Sequence, residues 1–247
     1  PGLPVLAAVA VAAGLAQAFS LASPWSGNPL WWLQLVALAA MVAVVDRSPS
    51  WKSAAMLGWV FATAWLAGTF WWLFTSMYTY GGLPAPLAGL AVLALAAFLA
   101  LFYGVVCGLF KALAPVHWAG RAIVFAALWL LAELARGTWL TGFPWGAAGY
   151  AHVDGPLAAL APVVGVYGIG FVAAGLAALL ATGPGAGWRA RSTAALVLLA
   201  LAVAPAVPWS TGTGRLDVAL LQGNIPQDEK FQPGSGVPVA LRWYGEQ

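Results

Sequence analysis

The chain has 247 residues, of which 62% are hydrophobic and only 7% charged, with a mean hydropathy of +0.87. An ordinary soluble domain carries about 25% charged residues, so this composition excludes a water-soluble fold and points to a bilayer. The formal net charge is +3 and the sequence pI is ≈ 9.3. The basic residues are scattered among apolar runs, which excludes the continuous basic stripe that follows a nucleic-acid backbone.

Seven hydrophobic segments follow in chain order: Leu3 to Leu21, Pro29 to Val45, Lys52 to Tyr78, Pro84 to Leu113, Gly120 to Trp139, Pro156 to Thr182 and Ser192 to Trp209. Each is near or above the roughly 20 residues that cross a ~30 Å hydrocarbon core. Helices are the expected spanning form, because backbone polar groups in lipid must be paired within the segment. The alternation of a barrel strand is missing. Ser23-Pro24, Asn28-Pro29, Asp46 to Pro49, Gly81 to Pro84 and Pro184-Gly185 mark the breaks. Ala16-Gln17-Ala18 resembles a signal-peptide cleavage site, but no basic region precedes it, so the first segment is expected to be a retained helix.

Basic residues set the expected orientation. With the N-terminus in the cytoplasm, inside loops hold Arg47, Lys52, Lys111, Arg121, Arg189 and Arg191, whereas the outside loops before the seventh segment hold only Arg136. Positive residues favour the cytoplasmic side. Trp51, Trp118 and Trp188 sit beside the inside charges, and Trp25, Trp31, Trp32, Tyr78, Tyr80, Trp139 and Trp145 gather at the outside ends. Aromatic belts form at both interfaces, and the richer outer set points to an external working face. Seven crossings place everything after Trp209 outside.

Past that residue the character changes. A polar linker, Ser210 to Arg215, precedes the β-type run Leu216 to Asn224, which is closed by Gly223-Asn224 and Pro226. Val239 to Gln247 can begin a helix. This tail is too short for a core of its own, and it reads as the first strand of a soluble domain.

Glu133 and Arg136 stand three apart on the fifth helix and share a face. An ionisable residue in a membrane helix is costly, and marks function unless it is paired. The two are either a structural ion pair, or Arg136 holds a lipid phosphate or fixes the following loop; the guanidinium fork suits a phosphate. Gly142-Phe143-Pro144-Trp145 comes next. Its Gly and Pro imply irregular backbone at the outer surface, serving as an interfacial anchor or as one wall of a lipid-access site. Cys107 lies in an apolar helix and is expected to be inert. His117, His152 and the other potential ligands show no metal-ligand spacing, and no Ser/His/Asp set or phosphate-cradling loop is evident. Neither a metal nor a cofactor is expected.

The stretch Ala127-Leu128-Trp129 through Glu133, Arg136-Gly137 and Leu140 to Trp145 resembles the apolipoprotein N-acyltransferase family. So do Gly149-Tyr150, Asp154 to Leu157, Leu160-Ala161-Pro162, Phe19-Ser20 to Pro24 and Tyr80 to Pro84. Val218 to Gln227 is similar to the opening of that family's nitrilase-like domain. The likeness runs through nearly the whole chain. It implies an all-α transmembrane domain over residues 1–209, then over 210–247 a linker and the beginning of a periplasmic αββα nitrilase-like domain. It also implies an enzyme of the bacterial cytoplasmic (inner) membrane. Such an enzyme moves an acyl chain from a phospholipid of the phosphatidylethanolamine class to the α-amino group of the diacylglyceryl-cysteine of a lipoprotein, through a thioester on a Glu-Lys-Cys triad. The triad and an eighth helix are expected beyond Gln247, and without them the fragment is expected to be inactive. Lipid-binding roles carry over to Arg136, Gly142, Phe143, Pro144 and Trp145. Phe231 stands where the family also has Trp; Phe keeps the ring but loses the indole donor.

Two rival functions remain at this point. One is a transporter with Glu133 and Arg136 on the substrate path, which the lack of an internal repeat weakens. The other is a non-catalytic lipid-binding membrane scaffold.

Overall fold

The computed structural model describes residues 2–183, 187–203, 212–224, 226, 229 and 234–246. It is all-helical, with no strand among the described residues. Helix α1 (Leu3–Leu21) ends where Ser20 Oγ donates to Gln17 O at 2.6 Å, and the turn into α2 (Trp31–Arg47) is closed by Leu30 N donating to Ser20 O. Ser48 stops α2 by donating from Oγ to Val45 O, just before Pro49. Ser50 then caps α3 (Trp51–Thr69), accepting from Ser53 N at 3.2 Å; this satisfies one of the orphan N–H groups of the first turn.

After Phe70 the chain bends by 54° into α4 (Trp71–Thr75), which runs on as a π-helical turn over Ser76–Tyr80. The expected third segment is therefore two helical pieces. Pro84 precedes the long α5 (Ala85–Leu113), and α6 (Trp118–Thr138) follows. Three short 3-10 turns, Trp139–Thr141, Ala148–His152 and Pro156–Leu160, lead to α7 (Ala161–Leu180). The expected sixth segment is thus broken too: it opens as a 3-10 turn, and Gly165 at φ 63° interrupts α7. Helix α8 (Gly187–Ala202) completes the bundle, and α9 (Val237–Gly245) lies in the tail.

Helices α1, α5, α6 with the turn that extends it, and α7 with the turn before it are long and apolar enough to cross a membrane; the bent α3–α4 pair makes a fifth if counted as one span. At 1.5 Å per residue the 17 residues of α2 reach about 26 Å. The seventh expected segment begins within α8, and its part beyond residue 203 lies outside the described residues.

Small residues let the helices approach. Helix α3 is central, packed on α1 and α5. A Cβ on Gly58 of α3 would lie 2.6 Å from Cys107 Sγ of α5, and one on Gly14 of α1 would collide with the Phe61 carbonyl of α3. Membrane helices associate through such small-residue contacts because lipid gives no hydrophobic drive between them. The outward faces carry Leu90, Leu93, Leu101 and Val105 of α5 and Ile123 and Leu131 of α6, all exposed. An apolar exterior around polar interior groups is the reverse of a soluble domain.

The run Leu216 to Asn224 forms no strand; residues 212–224 have no regular structure. A strand needs a neighbouring edge to pair its backbone, and the described residues offer none. Gly223 N donates to Tyr244 Oη of α9 at 3.0 Å.

Candidate functional site

The last two turns of α6 deliver Glu133 and Arg136 into the interior, each only 1% exposed. Tyr103 of α5, fully buried, stands between them: Arg136 Nε donates to Tyr103 Oη at 2.9 Å, and Tyr103 Oη donates to Glu133 Oε1 at 3.2 Å. Arg136 Nη2 lies 3.5 Å from Glu133 Oε1. A buried ion pair repays its desolvation only when the remaining donors and acceptors are also bonded. Here the surrounding backbone supplies most of those bonds, while Arg136 Nη2 keeps only its ion-pair contact to Glu133. Ala148 N donates to both Glu133 oxygens at 3.2 Å, and Arg136 Nη1 donates to Phe143 O at 2.6 Å and Trp145 O at 2.8 Å. The guanidinium is thus engaged by the loop that follows it in sequence.

A second clamp holds the same loop from α2. Gln34 Nε2 donates to Ala148 O at 2.6 Å, and Gln34 Oε1 lies 2.9 Å from His152 Nε2. With Gln34 oriented in this way, the imidazole donates from Nε2. The Ala148 peptide is therefore gripped at its N–H by α6 and at its carbonyl by α2. His152 lies between the spans and is fully buried; burial pushes its pKa down from 6.5 to about 4.

The clamps hold a backbone that does not fold this way by preference. Leu140, Thr141 and Gly142 have φ of 54°, 75° and 76° in succession. Left-handed Leu and Thr are strained conformations. Gly142 has no alternative, since a Cβ there would run into the Gly137 carbonyl. The outcome is a display of aromatic rings. Half-buried Phe143 packs edge-on to Phe70 at 4.9 Å, and Trp145 packs edge-on to Trp72 at 5.7 Å. Trp145 is 59% exposed and Trp139 66% exposed. Between α5 and α6 an apolar groove of ≈ 440 Å³, walled by Phe98, Phe102, Leu128 and Leu131, rises to Trp139 and Leu140. A smaller hollow of ≈ 180 Å³ continues it under Gly142 and Phe143. Such a channel suits an acyl chain and offers almost no polar contact.

The structure brings Glu133, Arg136, Gly142, Phe143 and Trp145 together, with Pro144 exposed at the loop tip. Phe231 lies outside the described residues. Cys107 is buried against Gly58, and the His117 ring lies tilted beside Trp118 at 5.3 Å. No group of His, Cys, Asp and Glu able to hold a metal occurs among the described residues. Sequence reasoning missed Tyr103, Gln34 and His152 as partners. Gln34 carried a usable signal, a polar amide inside an apolar helix.

Fold and site define a multi-pass helical membrane protein in which a buried ion-pair cluster fixes an irregular loop at one end of the helix bundle. Residues 13–179 match the family profile described as Apolipoprotein N-acyltransferase N-terminal domain. The chain belongs to the apolipoprotein N-acyltransferase family. It is 57% identical to the apolipoprotein N-acyltransferase of Verminephrobacter eiseniae over 96% of this chain and 48% of that protein. It is 43% identical to that of Ralstonia nicotianae, covering 88% of this chain and 42% of the relative. With the Bordetella bronchiseptica protein of the same name it shares 41% identity over 92% of this chain and 45% of the relative. The chain spans about half the length of these relatives.

Proposed function

We propose that the full-length protein transfers an acyl chain from a phospholipid of the phosphatidylethanolamine class to the α-amino group of a lipoprotein's diacylglyceryl-cysteine. The transfer runs through a thioester on a catalytic Cys, with Glu and Lys, carried beyond Gln247. Family membership supports the reaction class, and covalent transfer through an activated thiol follows the general logic of nucleophilic catalysis. In this reading residues 1–209 form seven crossings of the inner membrane with the N-terminus in the cytoplasm. Residues 210–247 lead into a periplasmic nitrilase-like domain. The clustering of Arg47, Lys52, Lys111, Arg121, Arg189 and Arg191 at helix ends on one side of the bundle supports that orientation.

The membrane domain's part is lipid delivery. Gly142, Phe143, Pro144 and Trp145 form the lipid-access wall at the head of the α5–α6 groove, and Arg136 contributes by holding that wall. A lipid-binding role for Phe231 rests on the family resemblance alone. The observation that carries this reading is the pair of bonds from Arg136 Nη1 to Phe143 O and Trp145 O, which leave the Trp145 ring displayed.

The test is acyl-enzyme formation by the full-length protein in phosphatidylethanolamine vesicles. Trp145→Ala is expected to lower the loading rate at least about tenfold, as the loss of a positioning contact does, with membrane insertion unchanged. Loading at the wild-type rate removes the loop from lipid access. Absence of any thioester in the wild-type protein removes the acyl-transfer reading itself.

A further inference from the structure

At the opposite end of the bundle the ends of α2 and α5 meet the start of α6 around a polar hollow of ≈ 290 Å³, lined by Asp46, Phe110, Lys111, Ala114 and Arg121. Arg121 pairs with the Asp46 carboxylate and lies over the Phe110 ring at 5.1 Å. Lys111 Nζ donates to the Asp46 carbonyl at 2.8 Å. The carboxylate pairs with Arg121 while Lys111 is held only by the Asp46 backbone carbonyl, so two cations line the hollow against one carboxylate and it keeps a positive charge. The nearby cations do not compete for it: Arg47 donates to Ala43 O, Lys52 lies over Trp51, and Arg191 donates to Thr182 O.

A second hollow of ≈ 720 Å³ adjoins the first, sharing Ala114 and Arg121, with Pro115, Val116, Trp118 and Thr182 in its wall. The combined shape is amphipathic, with a cationic seat beside an apolar flank. Trp51 and Trp188 are exposed at this same end, and tryptophan marks headgroup depth. A free phosphate would use only the cationic seat. A phospholipid uses both parts.

We propose that Lys111 and Arg121 bind the headgroup of an anionic phospholipid, with the Asp46 carboxylate as a built-in competitor for Arg121. Basic pockets between membrane helices take anionic headgroups, and the guanidinium fork matches a phosphate. This site lies at the end of the bundle away from the loop and does not depend on the acyl-transfer reading.

Native mass spectrometry of the delipidated full-length protein, titrated with phosphatidylglycerol or phosphatidylcholine, tests it. The wild-type protein is expected to retain phosphatidylglycerol preferentially. Lys111→Gln with Arg121→Gln should weaken that retention roughly 25-fold, about fivefold for each cation near the membrane surface. Asp46→Asn should strengthen it, and this sign separates a headgroup seat from a merely structural ion pair. Inorganic phosphate at equal concentration should leave the lipid bound. Equal retention of the two lipids, an unchanged double variant, weaker retention in Asp46→Asn, or full displacement by phosphate each overturns the proposal. If the double variant does not fold, Asp46→Asn decides.

Discussion

The two ends of the bundle use one chemistry, arginine against carboxylate, in opposite circumstances. At the loop end Glu133 and Arg136 are shut away from solvent, and almost every donor and acceptor is spent on Tyr103, the Ala148 peptide and two loop carbonyls. At the basic end Asp46 and Arg121 remain 37% and 28% exposed along their side chains. Burial decides what each pair can do. The enclosed pair cannot exchange partners without stranding a charge, so it serves as a fixed brace for a strained loop. The open pair can trade its partner for a ligand at small cost.

The largest effect follows from breaking the brace. Arg136→Ala leaves the Glu133 carboxylate buried beside two loop carbonyls that lose their donor. Removing one partner of a buried pair costs about 3–5 kcal/mol. The expected result is loss of the folded species in a detergent thermal-unfolding assay, whereas Arg136→Lys should recover part of it. An Arg136→Ala protein as stable as wild type would mean that the loop does not rest on this pair.

Gly142→Ala comes next. The residue combines positive φ with a Cβ direction that meets the Gly137 carbonyl, so a cost of about 1–3 kcal/mol is expected. Because the loop must shift to relieve the clash, limited proteolysis between Trp139 and Trp145 should accelerate even where the helices stay intact.

The extent to which all this was legible in the sequence differs between the same two ends. At the basic end charge position was enough, since each cation in a hydropathy break announces an interface. At the loop end the sequence offered Glu133 and Arg136, from their spacing on one helix, and the Gly142-to-Trp145 run, from its Gly and Pro and from the family resemblance. The partners from other elements were hidden. Tyr103 sits in an apolar run with nothing local to set it apart, and the Ala148 amide is a backbone group that no residue pattern reveals. The breaks at Phe70 and Gly165 were also concealed, because hydropathy measures how greasy a segment is and not whether its backbone stays helical. The β-type run from Leu216 forms no strand among the described residues for a related reason: a strand is a property of two segments, and the described residues offer no second one to pair with it.

A smaller effect tests the second clamp. His152 has its pKa lowered from 6.5 to about 4 by burial. Above pH 6.5 the ring is neutral whether the protein is folded or unfolded, so it contributes no pH dependence there. As pH falls from 6.5 toward 4 the unfolded chain takes up a proton that the folded one refuses, and stability is lost across that window. The difference in thermal midpoint between wild type and His152→Gln should change progressively between pH 6.5 and 4 and stay flat from 7 to 8. A flat difference throughout would mean that the imidazole is open to water in the folded protein.

The smallest stability effect belongs to the open pair, and it completes the contrast. Partly exposed ion pairs contribute about 0–1 kcal/mol, because water already solvates both groups and ordering two side chains costs entropy. A double-mutant cycle on Asp46→Ala and Arg121→Ala should therefore give a coupling below about 1 kcal/mol that shrinks as salt is raised. The same cycle on Glu133 and Arg136 should give a much larger and salt-insensitive coupling. If the Asp46–Arg121 coupling equals that of the enclosed pair, the basic end is a brace as well. The two cations would then have no freedom to receive a lipid headgroup, and the division of labour between the two membrane faces would not hold.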